Sequence, residues 1–177
     1  MNQPQWTLRR LPSLDRRQID ELAGVLIDCV ESGASVHFMH PFAQDRAVAF
    51  WQGVAQNVTA GERILLVAED DQGICGTVQL IVKLPENQPH RAEVAKMLVH
   101  RRARRRGLGT ALMRAAESAA QQLGKTLLIL DTVTGGDGAR LYERLGWIKV
   151  GSIPDFALMP QGGYCGATIY YRDLRAA

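Results

Sequence analysis

The stretch Arg104-Arg105-Arg106-Gly107-Leu108-Gly109 constrains this chain more than any other, because of what flanks it. Before it, Ala92 to Val99 reads as an extended, sheet-like run. After it, Leu108, Leu112, Ala115, Ala119 and Leu123 recur at helical spacing until Gly124 stops them. A strand that turns at once into an amphipathic helix must lay one helix face on its own sheet, which makes the chain an α/β protein. The turn also has a chemical bias. A helix N-terminus offers unpaired N–H groups and about half a positive charge. Glycines let an anion reach the backbone, and arginines add charge-assisted bonds. Five of the six positions from Arg101 to Arg106 are arginine. Solvated arginines and a simple glycine cap are the plain alternative, but the combination favours a diphosphate-bearing ligand.

Two nucleotide motifs are excluded. The dinucleotide fingerprint GxGxxG fails because its third glycine position holds Leu112. A P-loop needs Lys and then Ser or Thr after its last glycine, and Gly109 is followed by Thr110-Ala111.

The rest of the chain supplies the sheet. Trp6 to Leu11 alternates like a strand, and Ile19, Leu22, Leu26 and Val30 then mark a helix up to Gly33. Ala47, Trp51, Val54 and Val58 mark a second, ending before Gly61. Ile64 to Glu69 and Ile74 to Leu84 read as strands joined by the turn Asp70-Asp71-Gln72-Gly73. Pro85 to His90 is a loop. Beyond Gly124, Leu127 to Leu130 is a short buried strand ending in Asp131. A loop with Gly135, Gly136 and Gly138 leads to a short helix around Leu141 to Leu145. Trp147 to Val150 and Ala167 to Arg172 close the sheet, separated by a loop with Pro154, Pro160, Gly162 and Gly163. This order predicts one domain over residues 1–177. Its sheet is mixed and largely antiparallel, of about seven strands, parallel around the third helix and with helices on both faces.

Composition narrows the function. The chain has 177 residues, 46% hydrophobic and 22% charged, which is globular, and a net charge of +3, too small for a surface built for nucleic acid or anionic membrane. Cys29, Cys75 and Cys165 are far apart and odd in number, which suits reduced thiols in a cytoplasmic protein. His37, His40, His90 and His100 show no metal-ligand spacing, so no metal is expected. The N-terminus lacks a signal-peptide layout, and apolar runs such as Ile64 to Ala68 are too short to span a bilayer.

The RxxGxG sequence from Arg104 to Gly109 resembles the coenzyme A pyrophosphate loop of the GNAT superfamily of N-acetyltransferases. Glu93 to Val99 looks like that family's preceding strand, and Ala139-Arg140-Leu141-Tyr142-Glu143-Arg144-Leu145-Gly146-Trp147 is similar to its AxxLYxxxGF ending, with Trp for Phe. The motifs cover roughly residues 60 to 150. Within the family the chain most resembles the tabtoxin-resistance acetyltransferases, which acetylate the amine of a toxic β-lactam amino acid. That likeness lies in Gly33-Ala34-Ser35-Val36, Ala68-Glu69-Asp70-Asp71, Arg91-Ala92-Glu93-Val94 and Leu128-Ile129-Leu130-Asp131-Thr132. It also lies in the ending, with Pro154, Pro160, Gly162 and Thr168-Ile169-Tyr170-Tyr171.

The resemblance implies a GNAT fold and acetyl-coenzyme A as cosubstrate. It implies cofactor contacts from Met97, Leu98, Val99, Arg104, Arg105, Arg106, Gly107, Leu108, Gly109, Thr110, Gly136 and Tyr142. The Val99 N–H would bind the acetyl carbonyl and the Tyr142 phenol would serve the leaving sulfur. One position departs from the family: Gly136 stands where many members have an asparagine that touches the pantetheine arm.

Acetyl transfer needs a neutral amine. An amine of pKa about 10.4 is only ~0.1% neutral near pH 7, a handicap of roughly 4 to 5 kcal/mol that a base removes. Glu93 and then Asp131 are the candidates, each alternatively a clamp for the acceptor's ammonium or a mere strand-end carboxylate or loop cap. The loop from Ile153 to Tyr164 is expected to wall the acceptor pocket. An acetyl-cysteine route is disfavoured because no cysteine has a histidine beside it in sequence. Two rival functions stay open: a non-catalytic coenzyme A-binding regulator, and a nucleic-acid binder using Arg101 to Arg106. Pairing of edge strands between subunits suggests a homodimer.

Overall fold

Strand residues that carry apolar side chains on both faces need a cover on each, and the chain supplies two. The computed structural model describes residues 6–175. Its strands are β1 (Thr7–Leu11), β2 (Arg63–Asp70), β3 (Gly73–Ile81), β4 (Arg91–Val99), β5 (Leu127–Val133), β6 (Ile148–Leu158) and β7 (Tyr164–Asp173). Its helices are α1 (Arg16–Glu31), α2 (Gln44–Thr59), α3 (Leu108–Gln122) and α4 (Asp137–Arg144), with a 3₁₀ turn at Arg101–Ala103. In β2 the continuous run Ile64–Ala68 splits by alternation. Leu65 and Val67 meet Leu22, Leu26, Trp51 and Val54 of α1 and α2. Ile64, Leu66 and Ala68 join Leu108, Leu112, Met113 and Ala116 of α3 on the other face. A capping box between Asp15 and Gln18 starts α1.

The seven strands lie in the order β1-β2-β3-β4-β5-β7-β6. All pairings are antiparallel except β4–β5, the mixed sheet that the hairpin and the strand-helix-strand unit predict. That parallel pairing is short. It spans only Arg91↔Leu127, Ala92↔Leu128 and Glu93↔Ile129, after which the two strands part and β5 continues paired to β7 alone. On its other side β4 bulges. Between the rungs Gln79↔Ala95 and Thr77↔Leu98, Lys96 and Met97 oppose Val78 alone, and Lys96 takes φ +48°. The sheet therefore opens where β4 is also bent.

Several boundaries differ from the sequence reading: β3 ends at Ile81, short of Leu84, and β7 begins at Tyr164, ahead of Ala167. β6 runs on to Leu158 where a loop was expected, because an edge strand tolerates Pro154, whose missing N–H faces no partner, and absorbs it in a register shift between Ile153 and Ala157. The helix read as Leu141 to Leu145 starts at Asp137, a polar first turn that carries no apolar signal. β5 extends past Asp131 to Val133. Among the described residues, no helix is long and apolar enough to cross a membrane.

Candidate active site

The arginine cluster divides into two groups. Arg101 and Arg102 are held by the fold. The Arg101 amide donates to Asp28 Oδ2 at 2.9 Å and its guanidinium pairs with the same buried carboxylate. Arg102 grips Asp70 through two bonds of 3.0 and 3.1 Å. Arg104 donates to the Val99 carbonyl at 2.9 Å and reaches Asp28 at 3.4 Å. Part of the charge of these three is thus spent on partners within the fold. Arg105 and Arg106 stand exposed at the loop tip, beside Gly107.

Gly107 is the N-cap of α3, at φ +81°, and no side chain caps that end. A Cβ built on it would meet nothing within 4 Å, so the backbone there faces open space. The first turn, Leu108, Gly109 and Thr110, thus presents backbone N–H groups toward the Arg105–Arg106 loop, a setting suited to a diphosphate. Leu108 is buried and can contribute only its backbone. Gly109 has another reason to be glycine. Its Cβ would lie 3.1 Å from Leu141 Cδ2 and 3.9 Å from Met97 Sδ, so it lets α3 approach α4 and β4.

Met97 leads from that loop into a cavity of about 150 Å³ set in the gap between β4 and β5. From the α3–α4 side come Val94, Met97 and Tyr142; from β5, Asp131, Thr132 and Val133. From the opposite side come Ser35, Val36 and His37, the loop between α1 and α2, with Phe156 and Cys165 of the β6–β7 hairpin. The cavity thus runs from one core layer to the other. A larger, open hollow near Arg9 to Gln18 is lined by one continuous segment and gathers no comparable chemistry.

Asp131 is the electrostatic centre of this opening. Burial pushes the Tyr142 phenol far above its ordinary value, and the Asp131 charge adds to that, so Tyr142 stays protonated. Burial, and then the charge of Arg63, lower the Lys96 ammonium to about 8, with Asp131 opposing. His37 is held below its usual value chiefly by Lys96, then by burial, again against Asp131. Lys96 Nζ lies 3.1 Å from His37 Nδ1. Both residues adopt positive φ, +79° for His37 and +48° for Lys96, so two unfavourable backbone conformations converge on one contact.

The sequence candidates separate in space. Asp131, Tyr142 and Met97 line the cavity. Glu93 does not: it sits on the last β4–β5 rung and is tied to Arg91 at 2.8 Å. Leu98 turns into the α1–α2 core, and Val99 packs on the other core outside the cavity wall, so of Met97, Leu98 and Val99 only Met97 lines the opening. Gly136 is the N-cap of α4 without a side-chain cap. Phe156 and Ala157 enter the wall from the stretch read as the Ile153–Tyr164 loop. Cys165 reaches the same cavity with Ser35 Oγ 3.8 Å from its thiol; no histidine is bonded to it. His37, Lys96 and Ser35 were not singled out from the sequence. The Gly33-Ala34-Ser35-Val36 likeness falls on a loop that lines the cavity, whereas nothing in β4's alternation marks Lys96.

The profile of the acetyltransferase (GNAT) domain matches residues 61–149. Similar folds include the N-acetyltransferase from Staphylococcus aureus Mu50, at 15% identity over 96% of this chain and 98% of that one, TM-score 0.77. The ribosomal-protein-alanine N-acetyltransferase from Brucella melitensis is 18% identical over 94% and 99%, TM-score 0.78. The protein yncA from Salmonella typhimurium, described as an acetyltransferase and solved with its cofactor acetyl-CoA, is 17% identical over 96% and 94%, TM-score 0.76. These identities speak for the fold. The domain match covers half the chain, and the protein belongs to the GNAT acetyltransferase family.

Proposed function

We propose that this protein transfers an acetyl group from acetyl-coenzyme A directly to the amine of a small molecule, both substrates being bound together. The observation that carries the reading is the cavity in the β4–β5 gap. It places a protonated phenol and an exposed carboxylate on one opening, next to an uncapped helix N-terminus flanked by arginines. Family membership and the acetyl-CoA bound to the Salmonella protein support the donor. Acetyl-CoA supplies an acetyl group activated as a thioester.

The chain's own residues supply the rest. The N–H groups of Leu108, Gly109 and Thr110, with Arg105 and Arg106, hold the pyrophosphate, while Arg104 braces the loop through the Val99 carbonyl. Gly136 at the α4 N-cap offers backbone in place of the family's asparagine side chain. The bulge at Met97 frees β4 backbone to donate to the acetyl carbonyl, a role we assign to Met97 in preference to Val99. Asp131 accepts the acceptor's proton or holds its ammonium, in preference to Glu93, which is bonded to Arg91 away from the opening. Tyr142, kept neutral by burial, donates to the departing sulfur. Phe156 and Cys165 bound the acceptor side. The likeness to the tabtoxin-resistance enzymes supports an amino-acid-like or toxin-like acceptor, and the three free cysteines support a cytoplasmic setting.

Coenzyme A calorimetry followed by thiol release over an amine panel tests this. Tight binding with turnover is expected; binding without turnover on a broad panel would favour a regulator, and no binding would end the reading.

A second copy of the chain is proposed to pair along β6. Among the described residues, six of the nine exposed large apolar side chains, Ile148, Val150, Ile153, Phe156, Leu158 and Tyr164, lie on the β6–β7 hairpin, and β6 is an edge strand. Light scattering should report a dimer that Val150→Lys converts to monomer; a monomeric wild type refutes it.

A further inference from the structure

Lys96, on the acceptor side of the cavity, has hydrogen-bond donors to spare. Lys96 Nζ has one bonded partner, His37 Nδ1 at 3.1 Å, and lies over the Phe50 ring at 5.5 Å. No ion pair joins Lys96 to a carboxylate among the described residues. An ammonium has three N–H donors, so two remain after His37 accepts one. The neighbourhood adds to the excess. Arg63 is close enough to repel the Lys96 charge, and it spends one N–H on Gln79 Oε1 at 2.5 Å. That bond fixes the Gln79 amide so that its Nε2, fully buried, has no partner. Gln79 itself does not line the cavity, so Lys96 is the donor that faces it. Lining the same opening as Lys96, the one carboxylate among the described residues is Asp131 on β5.

An arrangement of this kind is costly without a ligand. A partly buried ammonium with spare N–H groups at the opening calls for an anionic oxygen. A compound with an amine alone would satisfy Asp131 and leave the donors as they are. A compound with a second positive charge would be repelled by Lys96 and Arg63. An amine that also bears an oxyanion satisfies both sides of the opening at once, its nitrogen toward Asp131 and its anion toward Lys96.

We propose that Lys96, oriented by His37, is the anchor for an anionic group on the acceptor, so that the preferred acceptor is a small amine that also carries a carboxylate or phosphonate. The inference rests on the amine-acetylation reading and adds the acceptor's charge and the residue that reads it. Lys96 is a specificity residue here, and His37 a positioning residue that takes one Lys96 proton and leaves the others directed at the cavity.

The test compares matched acceptors with the full chain and saturating acetyl-CoA: alanine, alaninamide, ethylamine and 1-aminoethylphosphonate. Charge-assisted bonds of this kind justify at least a tenfold preference in kcat/KM for the anionic pair over the amide and ethylamine. Lys96→Met should cut the ratio of acid to amide kcat/KM by about ten- to a hundredfold, mostly through the KM of the acid, and Lys96→Arg should restore part of it. Preference for alanine over the phosphonate, or the reverse, identifies which oxyanion the site takes. Wild-type turnover of alaninamide or ethylamine equal to or better than alanine overturns the inference and leaves amine acetylation standing. An unchanged acid-to-amide ratio in Lys96→Met overturns it as well. Coenzyme A affinity shows that the variants are folded, and if Lys96→Met is not, the wild-type comparison decides alone. Failure to acetylate any amine overturns the functional reading and this inference together.

Discussion

Replacing Gly107 with alanine adds one methyl group at the turn that opens α3. Nothing lies within 4 Å of that position, so the methyl meets no steric obstacle and the cost is confined to the backbone, which sits at φ +81°. An L-residue in the left-handed region costs about 1–2 kcal/mol. For a domain of this length that corresponds to a fall in Tm of about 2–8 °C. If the loop relieves the cost by leaving the left-handed turn, the α3 N–H groups lose their alignment and coenzyme A affinity falls by about 5- to 30-fold. Gly109→Ala is the matched control. Its methyl would press on Leu141 Cδ2 at 3.1 Å, so it should lower Tm through crowding of α3 against α4 with much less change in coenzyme A binding. Differential scanning fluorimetry and titration calorimetry read both quantities. A Gly107→Ala protein with a lower Tm and a coenzyme A Kd within twofold of wild type would show that the turn serves the fold alone. No change in either would mean that the left-handed conformation has no role.

Three further outcomes are expected. Tyr142→Phe keeps the packing against Trp147 and Tyr170 and should lower turnover about ten- to a thousandfold with little effect on coenzyme A binding; unchanged turnover, with chemistry rate-limiting, would reduce Tyr142 to a packing residue. Asp131→Asn should slow the reaction near neutral pH and recover as pH rises, while Glu93→Gln keeps the wild-type pH–rate profile; the opposite pattern would return the role of base to Glu93. Lys96 has a folded pKa of about 8 against an ordinary 10.5, so between those values the unfolded chain binds more protons and stability rises with pH. The penalty is full below pH 8 and absent above pH 10.5. Lys96→Met should therefore exceed wild type by up to roughly 3 kcal/mol at pH 7, the gap closing toward pH 10; a pH-independent gap would show that Lys96 is not held in this way.

The elements that bury a continuous face were legible in the sequence, and those defined by backbone irregularity were not. Leu108 and Leu112 announced α3 because their spacing is what a sheet-covering helix needs, whereas Leu123 is its exposed C-cap. Pro154 and Gly151 hid the length of β6, since residues that break a central strand are tolerated on an edge. The five arginines were weighed as one charged cluster with Arg104, Arg105 and Arg106 named as cofactor contacts; Arg101 and Arg102 belong to Asp28 and Asp70, partners 73 and 32 residues away. Asp131 and Tyr142 could be named from motif position. Lys96 could not, because its place at the opening depends on a bulge that breaks the alternation by which strand faces are read.

The parting of β4 and β5 has a kinetic consequence. Donor and acceptor would approach from opposite faces of one sheet and meet only in its gap, so neither blocks the other's route in or out. Initial-rate plots should then intersect, as for sequential addition, and not run parallel as they would for a shuttled acetyl group. The same geometry sets a length scale for inhibitors. A conjugate that joins coenzyme A to an amine by a linker just long enough to cross the gap makes the second contact intramolecular, and can exceed the affinity of either half by about 10²–10⁴. A linker too short to cross should gain nothing, which makes the width of this opening measurable in solution.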